Sequence, residues 1–90
     1  MKEKIKLRKI DKENWKFVLY KNSDGELIGD FVYSPVSFVD LSMLILLNEV
    51  ERRKASENRG FLIELSERIR NDYKDYLHRS LNREDFEFLL

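Results

Sequence analysis

Asn22-Ser23-Asp24-Gly25, set between Trp15 to Lys21 and Glu26 to Ser34, is the stretch that decides the fold. Asp-Gly supplies the positive φ angles a tight hairpin demands, and aromatic and β-branched residues crowd both flanks. Trp15, Phe17 and Leu19 recur at every second position, so the pattern predicts two antiparallel strands, about 15–21 and 26–34. Gly29, inside the second, marks a bulge or a place of close approach. Pro35 lacks an amide donor and ends that strand.

Outward from the hairpin, Lys2, Lys4, Lys6 and Arg8 alternate with Ile5 and Leu7, the period of a strand with one wet face, about 3–10. Asp11-Lys12-Glu13-Asn14 is polar enough to connect it to Trp15. On the other side, Val39, Leu41, Met43, Ile45 and Leu47 alternate with Asp40 and Ser42 as in a fourth strand, about 38–47. Helical spacing also accommodates Phe38, Leu41, Leu44, Ile45 and Leu47. The strand is preferred because Asn48-Glu49-Val50-Glu51 reads as an N-cap with Glu at the third helical position, a helix that begins there.

A short helix is predicted over 49–56, interrupted at Asn58-Arg59-Gly60. A longer one is predicted over 61–80, where Leu62, Leu65, Ile69, Tyr73, Tyr76 and Leu77 share a face. Glu64 with Arg68 and Asp75 with Arg79 are spaced for i, i+4 pairs on its polar side. Asn82 with Asp85 reads as a cap that opens a short C-terminal helical turn. The expected fold class is therefore α+β: an antiparallel meander of three to four strands, then two helices packed on one sheet face.

The chain of 90 residues, 42% hydrophobic and 12% aromatic, is expected to form a single domain over 1–90. A chain this short buries only roughly 60–65% of its unfolded surface, so dimerisation or a bound partner would help its stability. With no cysteine, disulfides and thiolate chemistry are excluded, which fits a reducing, cytoplasmic setting. The basic N-terminus is followed by no apolar signal region. The longest apolar run, Met43 to Leu47, is far below the ~20 residues of a membrane span.

Catalytic signatures are missing. Glycines stand alone at 25, 29 and 60, so no phosphate loop exists, and the single histidine, His78, has no motif partner. Asp30 and Asp40 are explained by solvent-facing strand positions as readily as by a cation or acid–base site. Ile5 to Trp15 resembles the first strand and helix entry of GNAT acetyltransferases. That family's pyrophosphate-binding loop, Arg/Gln-x-x-Gly-x-Gly/Ala, has no counterpart here, so no residue or activity is carried over.

Net charge is zero, but basic side chains dominate residues 1–21 and only acids occur over 22–47. Lys2, Lys4, Lys6 and Arg8 would project from one face about 6–7 Å apart. Three readings fit: protection of an edge strand, contact with an acidic protein surface, or contact with nucleic-acid phosphates. Tyr73 and Tyr76 are the aromatic residues nominated as binding candidates beside them. The expectation is a small non-catalytic protein-binding module without cofactor, of bacterial or phage type, which neutralises a partner by docking as immunity or inhibitor proteins do. The alternatives are a nucleic-acid-binding regulator using the N-terminal strand and a small enzyme subunit whose site forms across a homodimer.

Overall fold

The computed structural model describes residues 3–36 and 38–89; the expectation for Lys2 lies outside the described residues. In chain order the elements are β1 (Ile5–Glu13), β2 (Phe17–Lys21), β3 (Leu27–Val36), β4 (Val39–Leu46), α1 (Glu49–Glu57), α2 (Gly60–Asn71), β5 (Ser80–Leu81) and β6 (Phe86–Leu89). Short 3-10 turns occupy Tyr73–Asp75, Leu77–Arg79 and Arg83–Asp85. The class is α+β, a strand meander followed by helices, and residues 39–46 are the fourth strand of that meander.

The hairpin forms where its turn chemistry directs. Gly25 has φ 84°, and the Asn22 side-chain oxygen accepts from the amides of Asp24 (3.0 Å) and Glu26 (2.9 Å). At the start of α1 the predicted cap is complete: Asn48 Oδ1 accepts from Glu51 N–H at 2.8 Å, while Glu51 Oε1 accepts from Asn48 N–H at 3.0 Å. Asn58 ends α1, and its side chain accepts from the N–H of Gly60, the first residue of α2, at 2.9 Å.

Six strands form one sheet in the order β5-β4-β3-β2-β1-β6, antiparallel except for β1 with β6. Its shape follows from a length argument. The two edge strands stand five strand intervals apart, about 24 Å in a flat sheet, yet only the five residue steps from Leu81 to Phe86 join them, about 17 Å when fully extended. A flat sheet is therefore impossible and the sheet curls. Arg83, on the joining segment, crosses the face it curls toward, donating to Asp30 Oδ1 (2.8 Å) and Ser42 Oγ (2.8 Å) with its guanidinium over the Phe88 ring.

Alternation gives the sheet two apolar faces. Phe17, Leu19, Phe31, Tyr33, Met43 and Ile45 pack under Leu62, Leu65 and Ile69 of α2, while Leu7, Ile28, Leu44 and Phe86 fill the curled side. Each such fully buried side chain contributes about 1.5–3 kcal/mol. Gly29 is the place of close approach: a Cβ there would lie 2.3 Å from the Phe31 ring, which covers the bare backbone.

The structure corrects the sequence reading in five places. β3 does not end before Pro35 but runs through it to Val36, with a register shift against β4 between Tyr33 and Val36 where the proline sits. β1 continues to Glu13, so Asp11 to Glu13 are strand and not connection, and a register shift between Lys9 and Asp11 absorbs the extra residue. Trp15 belongs to the turn and not to β2: it is 81% exposed, with φ 66°. α2 stops at Asn71, where Asn71-Asp72 are weak helix formers, and the Tyr73 ring stacks on Tyr33 with centroids 5.0 Å apart. Arg79 consequently reaches Glu51, at 2.6 Å, instead of Asp75. The cap at Asn82 forms but opens only a 3-10 turn, after which Phe86–Leu89 is a strand and not a helical turn. Among the described residues no helix is long and apolar enough to cross a membrane.

Candidate functional site

β6 pairs along β1 from Ile5 to Arg8. Lys6 and Arg8 therefore do not lie on an open edge, and edge protection does not account for them. Lys6 and Arg8 point to the side of the sheet that carries the helices, and Arg8 stands directly opposite Lys21 of β2. Like charges placed opposite each other weaken a sheet. Among the described residues, none of Lys6, Arg8 and Lys21 lies within 4.0 Å of a carboxylate, although Glu87 is the neighbour of Lys6 on β6.

These three side chains, with Asn22, Ser23 and Leu89, line a recess of about 380 Å³. Lys21 is shared with a second recess of about 420 Å³, so the two adjoin. The second lies between α1 and the sheet. Its walls are apolar at Ile10, Leu19, Leu27, Ala55 and Leu62, and Arg52 from α1 adds a fourth basic group without an ion pair among the described residues. Together they form a groove with an apolar floor and cations along its rim, the chemistry of a receptor for an anionic group attached to an apolar one.

Ion pairs brace the far wall of the groove. Arg59 donates to Asp11 Oδ2 (2.7 Å), Asp11 Oδ1 (3.0 Å) and the Lys12 carbonyl (3.0 Å), and pairs with Glu13 at 3.0 Å. The hydrogen bonds from Arg59 hold the Asp11 carboxyl below its usual range, against a smaller upward push from burial; the Lys12 amide adds to the lowering. Arg59 is itself driven further toward the protonated form by Asp11 and Glu13. Its charge is thereby neutralised, leaving Lys6, Arg8, Lys21 and Arg52 to face a ligand.

The candidates named from sequence separate into two groups. Lys4 is exposed and lines a different, smaller recess with Glu3, Glu84 and Asp85. Tyr73 and Tyr76 pack against the α2 side of the core, Tyr73 on Tyr33. Tyr33 lies six residues along β3 from Leu27, about 20 Å at strand rise, so the tyrosines are not part of the groove. Asp30 is held by Arg83 and Asp40 by Ser34 Oγ, and the two do not form a pair. His78 is exposed on a 3-10 turn. Among the described residues no three His, Asp or Glu side chains converge as metal ligands. Sequence reading missed Lys21 and Arg52: the first was legible only with the β1–β2 register, the second only with the seating of α1.

Comparison with protein families, with curated proteins and with solved structures finds no match in any of the three.

Proposed function

We propose that this chain is a non-catalytic binding module whose groove takes an acidic, partly apolar segment of a partner protein. The carrying observation is the Arg8–Lys21 opposition, flanked by Lys6 and Arg52 beside the apolar floor of Ile10, Leu19 and Leu27. Repulsion that weakens the free fold is relieved when a carboxylate enters, so the site gains affinity from the strain it carries. Docking that blocks the partner's activity, as an immunity or inhibitor protein does, is the form of this function we favour.

A second reading has its own support: Lys6 and Arg8 are presented about 6–7 Å apart on a strand already covered on both sides, a spacing close to that of nucleic-acid phosphates. Fluorescence anisotropy separates the two. Labelled acidic–apolar peptides and labelled oligonucleotides are titrated with wild type and with the variant Lys21→Glu. Peptide binding lost in the variant supports protein docking. Oligonucleotide binding that falls steeply with salt and is lost in the variant transfers the site to nucleic acid. Partners captured equally by wild type and variant from a host lysate would sink both readings.

A further inference from the structure

Among the described residues, the outer side of β4 is covered by β5 only at Leu44 and Ile45. The direction of its remaining backbone groups follows from hydrogen bonds at its end. Leu47 N–H donates inward to the Leu27 carbonyl at 2.9 Å, whereas the Leu46 carbonyl accepts from Arg79 on the outer side at 3.0 Å. Successive residues of an antiparallel strand point alternately to either side. Asp40 and Ser42 thus direct N–H and C=O outward together with Leu44, and β5 reaches only the last of these.

This open stretch is not defended as edges usually are. Val39 to Met43 contains no Lys, Arg or Pro. The Asp40 carboxylate turns back to accept from Ser34 Oγ at 2.6 Å, while Leu41 is 45% exposed and the adjacent Phe38 is 89% exposed. An exposed backbone edge flanked by apolar side chains takes an extended strand as its partner.

We propose that this partner is a second copy of the chain, pairing β4 to β4 antiparallel about a two-fold axis at Leu41. The register selects itself, because outward residues must meet outward residues. Asp40 opposite its own copy would set like charges face to face. Ser42 opposite its own copy would bring Asp40 against Leu44, whose backbone already pairs with Leu81. Asp40 opposite Ser42 satisfies the open groups of both copies without either conflict. It also sets Val39 against Met43 and Leu41 against itself, an isologous contact bounded at each end by β5. This inference is independent of the groove, which opens at the other end of the sheet.

The chain has no cysteine, so one introduced thiol gives a clean readout. A non-hydrogen-bonded pair at the axis holds Cα atoms about 4.5 Å apart, within the range of a disulfide. Under mild oxidation Leu41→Cys is expected to form a covalent dimer at least about tenfold faster than Ser23→Cys on the β2–β3 turn, because pairing raises the effective thiol concentration. Sedimentation of the wild-type chain should show a monomer–dimer equilibrium, and Leu41→Lys, with circular dichroism confirming its fold, should weaken it about tenfold. A wild-type chain that stays monomeric at every concentration would overturn the proposal. So would a dimer indifferent to Leu41→Lys, or cross-linking no faster at position 41 than at 23.

Discussion

Lys21→Glu is expected to stabilise the unliganded protein while abolishing binding in the groove. In the native sheet Arg8 and Lys21 are direct cross-strand neighbours, both exposed and without an ion-pair partner among the described residues. Reversing one sign turns a repulsive pair into an attractive one. For exposed side chains the swing is about 0.5–1 kcal/mol at low ionic strength. In a domain of this size that raises Tm by roughly 2–8 °C. Salt supplies the control: at 1 M the screening length falls to about 3 Å, and most of the gain should vanish. Urea and thermal unfolding of both proteins in low and high salt measure it. A Tm that is unchanged or lowered at low salt, or a gain that survives 1 M salt, would refute the idea that stability is held back at this pair. The opposed signs also protect the binding test, since a more stable variant that no longer binds has not lost binding by unfolding.

Three further outcomes follow from the packing. Gly29→Ala drives a Cβ to within 2.3 Å of the Phe31 ring, and the overpacking should cost about 1–3 kcal/mol in urea unfolding. Trp15→Gly removes a left-handed residue that is 81% exposed, so little packing is lost and stability should rise by about 1 kcal/mol in the same assay. Burial pushes the Glu51 carboxyl up, but hydrogen bonds from Arg79 and the Asn48 amide outweigh it and leave the pKa low. A depressed carboxylate stabilises the fold above its unfolded pKa, ordinarily about 4.3, and that contribution is lost as pH falls through the folded value. Arg79→Met should therefore cost about 1–2 kcal/mol at neutral pH and reduce the decline in stability below about pH 5, measured by denaturation across a pH series.

Local chemistry made much of the fold legible. Asp24-Gly25, the Asn48–Glu51 box and the alternation of Val39 to Ile45 each carry their structural cause within a few residues. What the sequence conceals is nonlocal. Phe86 to Leu89 holds four residues, too few for periodicity to speak, and becomes a strand only because β1 offers an unpaired side. Tyr73 and Tyr76 continue the apolar spacing of α2, yet Tyr73 leaves the helix to stack on Tyr33, a contact across 40 positions of sequence. The groove divides in the same way. Lys6 and Arg8 stand out as a stripe, whereas Lys21 looks like the solvated end of a strand until the register sets it against Arg8.

The late pairing of β6 also changes what the basic stripe means. An edge strand needs lysines to deter other strands, and had the sheet ended at β1 that need would have explained Lys6 and Arg8 fully. The short connection from Leu81 to Phe86 curls the sheet and delivers β6 onto the outside of β1, so along Ile5 to Arg8 the deterrent has nothing left to deter. Along β4 the situation is reversed: Asp40 and Ser42 lie open, and lysine is missing there. Positive charge thus occurs at Lys6 and Arg8, where the edge is closed, as well as at Lys9 and Lys12 beyond the reach of β6, and is missing from the open stretch of β4. Edge protection explains neither Lys6 and Arg8 nor the undefended stretch of β4; the proposed receptor for an acidic group and the proposed partner strand would each supply a reason.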